Sequence, residues 1–158
     1  MTNQQLKQIK IRKPDENIRK KVQENWDSLA KPLDGLGIFE KIFMQIGAVT
    51  GDESVPIQKK AVIVMCADNG IVEEGISQSG QEVTYQVAES MGKRKSSVCL
   101  MAAQVNAEVI PIDIGIAAEK TPEGVWNKKV CPGTKNFLKQ PAMTEQEALA
   151  AIEAGIKS

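Results

Sequence analysis

Residues Ala61-Val-Ile-Val-Met-Cys66 are six apolar residues in a row, three of them β-branched. A run that short, without polar alternation, predicts a strand covered on both faces, as in a parallel sheet. The segment Asp68-Asn69-Gly70-Ile-Val-Glu73-Glu74-Gly75-Ile-Ser77 follows at once, running on to Gln81-Glu82-Val83-Thr84. An acidic residue, two glycines and a hydroxyl just past a strand end sit where open α/β sheets build ligand sites. A turn followed by helix caps is the structural alternative.

The second strand is predicted over Glu108-Val-Ile-Pro-Ile-Asp-Ile-Gly115, where Pro111 points to an edge position or a bulge. Between the strands, Ser79 precedes Glu82 by the capping-box spacing, and Val83, Val87 and Met91 mark the buried face of the helix that follows. Ser96 or Ser97 caps a further helix through Gln104. Upstream, Pro14 is expected to open a helix with Asp15 and Glu16 in its first turn. Ile18, Val22, Trp26 and Leu29 form its apolar stripe, and it should end before Pro32. A turn-rich link, Lys31 to Gly37, leads to a second helix over about 37–49 that buries Leu36, Phe39, Ile42, Phe43 and Ile46. Residues 1–13 read as a loose arm and 117–135 as a loop. Thr144 and Glu147 have the spacing that caps a last helix, whose apolar face is Ala148, Ala151, Ile152, Gly155 and Ile156.

Two parallel strands joined by helices imply α/β. The expected fold is a Rossmann-like parallel sheet with helical crossovers, preceded by an N-terminal helical pair. Residues 1–58 are expected to form the arm and helical segment, and 59–158 the first part of an α/β domain. So few strands do not complete such a sheet. The chain therefore reads as the incomplete N-terminal part of a larger domain.

Composition narrows the chemistry. Twenty basic and 20 acidic residues cancel, so no global field favours nucleic acid or an acidic membrane. The chain has no histidine, which removes the usual general base, the usual zinc ligand and any Ser-His or Cys-His pair. Aromatic residues make up only 4%, too few for a base-stacking platform. Cys66, Cys99 and Cys131 lack Cys-x-x-Cys spacing and read as structural thiols. No apolar leader or membrane-length run is visible, and a reducing cytoplasm is the expected compartment.

Four segments together resemble one family, the nicotinate-nucleotide–dimethylbenzimidazole phosphoribosyltransferases of cobamide synthesis. They are Leu29-Ala-Lys31-Pro32-Leu-Asp-Gly35-Leu-Gly37; Ala67 to Thr84 as quoted above; Val109-Ile-Pro-Ile-Asp113-Ile-Gly115; and Gly133-Thr134-Lys135-Asn136-Phe137…Pro141-Ala142-Met143-Thr144. The resemblance spans roughly residues 15–157. Asn69 stands where many members have histidine, and Asp34-Gly35 where Gly-Ser is usual. The family's later glycine-rich phosphate segment and its general-base glutamate have no counterpart here.

The resemblance implies transfer of phosphoribose from nicotinate mononucleotide to 5,6-dimethylbenzimidazole, with no cofactor and no metal. A benzimidazole needs a flat apolar slot with a polar group at a ring nitrogen. By resemblance Ser77, Ser79, Gln86, Asp68 and Asn69 form the base-binding set. Gly133, Thr134 and Asn136 lie near the nucleotide, and no catalytic residue is expected in this chain. Structural alternatives stand beside several of these: a helix cap for Ser79, an exposed helix position for Gln86, a strand-end role for Asp68, a turn for 133–136. Glu73 and Glu74 are expected to face solvent. The expected partners are these small molecules, with a second copy as a homodimer or other homo-oligomer, or a complementing C-terminal portion. The competing reading is a base-binding module without turnover, or one fragment of a split enzyme.

Overall fold

The computed structural model describes residues 1–158. The chain divides into two compact units, residues 9–59 and residues 1–8 with 60–158.

The smaller unit is a helix pair, α2 (Glu16–Asp27) and α3 (Ile38–Thr50). Asp15 caps α2: its carboxylate accepts from the amides of Asn17 at 2.9 Å and Ile18 at 3.2 Å. Pro14 thus lies ahead of the cap instead of opening the helix. Val22, 2% exposed, packs where Gly47 lets the two helices approach; a Cβ at Gly47 would stand 2.7 Å from the valine's Cγ2. Trp26 meets Phe43 edge-on at 5.6 Å. The turn between the helices is cinched by Glu40, which pairs with Lys31 at 2.9 Å and accepts from the Leu36 amide at 3.0 Å. The expected burial of Leu36, Phe39 and Ile42 is not found, and Leu29 also lies exposed. Two helices have only one mutual seam, and these side chains fall outside it.

The larger unit holds a parallel sheet of β1 (Lys60–Ala67), β2 (Ala107–Gly115) and the two-residue β3 (Trp126–Asn127), in the order β1-β2-β3. Register runs from Lys60 opposite Ala107 to Cys66 opposite Asp113, then slips so that Ala67 faces Gly115. The crossover from β1 to β2 carries α4 (Glu82–Gly92) and α5 (Ser97–Gln104), the latter capped by Ser96. Ala88, Met91, Cys99, Ala102, Val109 and Ile116 form the core between helices and sheet. Pro111 lies in the central strand, not at an edge, with its side chain fully buried. The proline is tolerated where β2 has one strand neighbour, because β3 pairs only from Ile112 onward. Asp113, wholly buried, anchors the long loop after β2. It accepts from the Ile116 amide at 2.9 Å and the Thr121 hydroxyl at 2.7 Å, and pairs with Lys129 at 3.3 Å.

Two further differences concern the ends. Residues 3–8 are not a loose arm but a short helix, α1 (Asn3–Gln8). The Met1 amine and the Asn3 amide tie it to Glu153 and Glu145 of α6 (Glu145–Ile156). Thr144 and Glu147 form the capping box of α6, yet no residue of that helix is buried. The composition of β1 predicts cover on both faces; only Cys66 in it is buried.

Candidate functional site

A cavity of about 380 Å³ opens at the carboxyl end of β1, between that strand, the loop after it and α4. Its apolar walls come from Val64, Met65, Val72, Val83, Val87 and Met91. Asp68, Asn69, Ser77, Ser79, Gln81 and Thr84 supply the polar lining. The size and the mixture suit one small organic ligand.

Asp68 is 4% exposed and is the sole carboxylate in the lining. Its Oδ2 accepts from the Ala117 amide at 2.7 Å, its own amide donates to Gly115 at 3.0 Å, and its carbonyl accepts from Thr134 at 3.0 Å. The strand-end tie expected as the structural alternative is therefore present, and the same side chain also borders the cavity. The Asn69 carbonyl accepts from the Gln81 side-chain amide at 3.2 Å, which closes the loop back on the start of α4. The capping box of Ser79 and Glu82 does not form: α4 begins at Glu82 with Gln81 at its cap, without a side-chain bond. Gly80 and Gln81 intervene, and the Ser79 amide instead donates to the Ser77 hydroxyl at 3.3 Å. Ser79 is left on the cavity wall. Cys66 also lines the cavity, and burial, reinforced by the nearby Asp113 charge, pushes its thiol up, away from nucleophilic use.

The apolar stripe of α4 divides: Met91, 4% exposed, is buried as its spacing suggests, while Val87 is not. Val83, Thr84, Val87 and Met91 face the cavity, and Val87 is 49% exposed. The residue that α4 buries completely is Ala88. Periodicity identifies the stripe but not whether a packed core or an open slot lies against it. Gln86 does not line the cavity. At about 100° per residue it lies roughly 60° round the helix from Val83, on the exposed side of the stripe. Thr84, Gln81 and Met65 are cavity residues that sequence reasoning does not single out. Their one signal is their place in the Asp68–Thr84 segment and the strand before it.

Gly133, Thr134 and Asn136 do not line the cavity. They brace the loop that does. Gly70 abuts them so closely that a Cβ there would fall 2.5 Å from the Thr134 carbonyl oxygen and 2.7 Å from the Asn136 nitrogen. The Gly70 amide donates to the Thr134 hydroxyl at 3.2 Å. The amides of Gly133, Thr134 and Lys135 donate to the carbonyls of Cys131, Asp68 and Ala142. Asn136, 5% exposed, gives its side-chain amide to Glu73 and Glu74 and accepts from the Leu138 amide at 3.0 Å. Lys139 completes the cluster, 3.1 Å from Glu73 and 3.5 Å from Glu74. The two glutamates face solvent, as expected, and are held there by these contacts. Lys139, with help from Asn136, holds the Glu73 carboxyl below the usual carboxylate range, and Glu73 in turn raises the Lys139 ammonium. No group of three His, Cys, Asp or Glu side chains is placed to hold a metal ion.

The arrangement can seat a small, mostly apolar molecule against valine and methionine side chains, with Asp68 and three hydroxyls in its polar lining.

A family model described as phosphoribosyltransferase matches residues 11–158. The nicotinate-nucleotide–dimethylbenzimidazole phosphoribosyltransferase of Clostridium tetani is 43% identical over 148 residues, covering 94% of this chain and 41% of its own length. That of Clostridium acetobutylicum is 40% identical over 144 residues, covering 91% of this chain and 41% of its own. The crystal structure of the Thermus thermophilus enzyme of the same name superposes with a TM-score of 0.81 at 32% identity, over 89% of this chain and 43% of that one. The chain spans about two fifths of the length of the curated relatives it matches.

Proposed function

We propose a function on one premise: the chain belongs to the phosphoribosyltransferase family whose model matches residues 11–158. In this reading the cavity at the end of β1 holds 5,6-dimethylbenzimidazole. The whole enzyme transfers phosphoribose to it from nicotinate mononucleotide, giving α-ribazole 5′-phosphate and nicotinate. The bond from ribose to the nicotinate nitrogen breaks, a bond to the benzimidazole nitrogen forms, and the benzimidazole N–H proton passes to a base. Supplying that base falls to polypeptide beyond these residues.

The observation that carries the reading is the cavity itself: valine and methionine walls, with Asp68 and the hydroxyls of Ser77, Ser79 and Thr84 at its polar side. Asp68, Asn69, Ser77 and Ser79 are proposed as base contacts. Gln86 is proposed to join them from the rim, next to the wall residue Val87. Gly133, Thr134 and Asn136 are proposed to lie near the nucleotide by position, since their own donors are largely engaged within the chain. The working compartment is proposed to be the cytoplasm, in keeping with three free cysteines. Further polypeptide, a second copy or the complementing portion of the family chain, is proposed as the macromolecular partner.

One observation favours the second reading, a base-binding module without turnover. The sole carboxylate lining the cavity is already engaged by the Ala117 amide. Titration of both small molecules separates the outcomes. Dimethylbenzimidazole is expected to bind detectably and loosely, and nicotinate mononucleotide more weakly. Product is expected once the rest of the family polypeptide is supplied. Tighter binding of the nucleotide would overturn the assignment of the cavity. Turnover by these residues alone, above a no-protein control, would overturn the division of labour. Base binding that never leads to product, even with the complement, would leave the module reading.

A further inference from the structure

Two carboxylates stand at the carboxyl ends of neighbouring strands, Asp113 in β2 and Asp68 just past β1. Asp68 lines the cavity; Asp113 does not, and it is wholly buried. The tripeptide Ile116–Ala118 bridges them, and each of its three residues makes one tie. The Ile116 amide donates to Asp113 Oδ1 at 2.9 Å, the Ala117 amide donates to Asp68 Oδ2 at 2.7 Å, and the Ala118 carbonyl accepts from the Lys129 ammonium. Lys129 also lies 3.3 Å from Asp113 Oδ2, and the Thr121 hydroxyl donates to that same oxygen at 2.7 Å. β3 delivers the lysine. Beyond Asn127, the Lys128 amide donates to the Asp113 carbonyl at 2.9 Å and the Val130 amide to the Ile114 carbonyl at 3.1 Å, so the segment stays bonded to β2.

Asp68 meets this assembly through one oxygen only. Its Oδ2 takes the Ala117 amide, whereas Oδ1 accepts no hydrogen bond from the chain. No fully buried side-chain oxygen lacks a partner, so Oδ1 remains accessible, in a side chain that lines the cavity. The amide of Ala117 thus decides which oxygen is spent inside the chain and which is kept for the cavity.

We propose that Asp113 and Lys129 are positioning residues for the cavity: they hold Ile116–Ala118 where the Ala117 amide engages Oδ2 of Asp68 and Oδ1 is left for a ligand. A buried ion pair contributes little net stability, and its best-attested use is to specify one arrangement of the chain around it. A hydrogen bond from a backbone amide to a carboxylate is short and strong, and it passes that arrangement on to Asp68. The consequence for binding rests on the reading of the cavity as a base site; the orientation of Asp68 does not.

Lys129→Met keeps the length of the side chain and removes its charge and its donors. The Ala117 amide proton is followed by nuclear magnetic resonance of the isotope-labelled chain, where a bond to a carboxylate moves it downfield. Lys129→Met is expected to move this signal upfield and to weaken dimethylbenzimidazole binding by about fivefold, the worth of one hydrogen bond. Lys129→Arg keeps the charge and offers donors, and is expected to restore both. In an Asp68→Ala background, Lys129→Met is expected to change affinity by no more than about twofold, because the effect runs through Asp68. An Ala117 signal that Lys129→Met leaves in place overturns the proposal. So does a loss of affinity as large in Asp68→Ala as in the parent, which would mark a structural role that bypasses Asp68. Thr121→Val takes one donor from Asp113 without stranding a charge, and it is expected to move the same signal in the same direction. That variant decides the matter if Lys129→Met does not fold. If the unmodified chain binds no dimethylbenzimidazole, the proposed function falls, while the amide signal still decides whether Asp113 and Lys129 orient Asp68.

Discussion

Asn136 donates its side-chain amide to the carboxylate of Glu74, 62 positions earlier in the sequence, while itself only 5% exposed. With Glu73 and Lys139 this contact fixes the 3₁₀ turn at Gly70–Glu74 from outside the sheet. The cavity-lining loop is therefore held by a segment that contributes nothing to the cavity wall.

Replacing Asn136 by Asp places a third carboxylate between two others. N136D is expected to lose about 1–3 kcal/mol of stability at pH 7, the usual cost of an unmade buried hydrogen bond. The deficit should shrink near pH 4, where carboxylates begin to take up protons. Urea midpoints of both proteins at the two pH values test this. An equal deficit at both would show that charge plays no part.

Glu153 is held at about 2, below its ordinary 4.5, first by Lys157 and then by the Met1 amine. A depressed carboxyl contributes stability that is complete above the ordinary value and is lost as pH falls through the depressed one. The tie between α1 and α6 should accordingly open between about pH 4.5 and pH 2. Protection of the amides of residues 3–8, taken relative to their intrinsic exchange rate at each pH, should fall in that window, and Glu153→Gln should lower it already at pH 7. Identical exchange in E153Q and the parent at neutral pH would mean that Glu153 does not hold α1.

Gly70→Ala forces its new methyl against the Thr134 carbonyl oxygen and the Asn136 nitrogen, both backbone atoms. Neither can rotate away. A loss of about 1–3 kcal/mol is expected, as for other overpacked sites. The variant should also bind dimethylbenzimidazole less well, because the loop that moves carries Asn69 and Val72. Thermal melting and titration read the two effects. A variant as stable as the parent would mean that the two segments separate freely.

Ser77→Ala and Gln86→Ala should each weaken dimethylbenzimidazole binding by about 1 kcal/mol, near fivefold, the net worth of one neutral hydrogen bond. Calorimetric titration of both variants locates the limit of the site. An effect of Ser77 without one of Gln86 would end the site at the Val83–Met91 stripe. Silence of both would refute the proposed base contacts.

Short-range chemistry is the legible part of this chain. The Thr144–Glu147 box, the Ser96 cap and both long strands follow from residues within a few positions of one another. The Ser79–Glu82 box fails because spacing alone does not say where a helix begins, and Ser79 has a nearer partner in Ser77. Burial is misread wherever the covering element lies outside the local pattern. Phe39 and Ile42 look like core yet face outward. Val87 looks like core yet faces a cavity. At the site, the sequence marks Asp68, Asn69, Ser77 and Ser79, which the structure gathers around one cavity. It sets Gly133, Thr134 and Asn136 apart but does not show that they brace the cavity loop, because their contacts to Gly70, Glu73 and Glu74 connect residues more than sixty positions apart.

Those long-range contacts bear on how the site comes into being. The Gly70 amide finds the Thr134 hydroxyl 64 residues later, after the parallel pairing of β1 with β2 has closed a loop of its own. Non-local contacts of this kind form slowly, because each closure costs chain entropy before any packing offsets it. The rim of the cavity is thus expected to settle late in folding. Once settled it is held by part-buried hydrogen bonds within the chain rather than by a ligand. The entropy of ordering that loop is lost before a ligand arrives, and it is not lost again at each binding event.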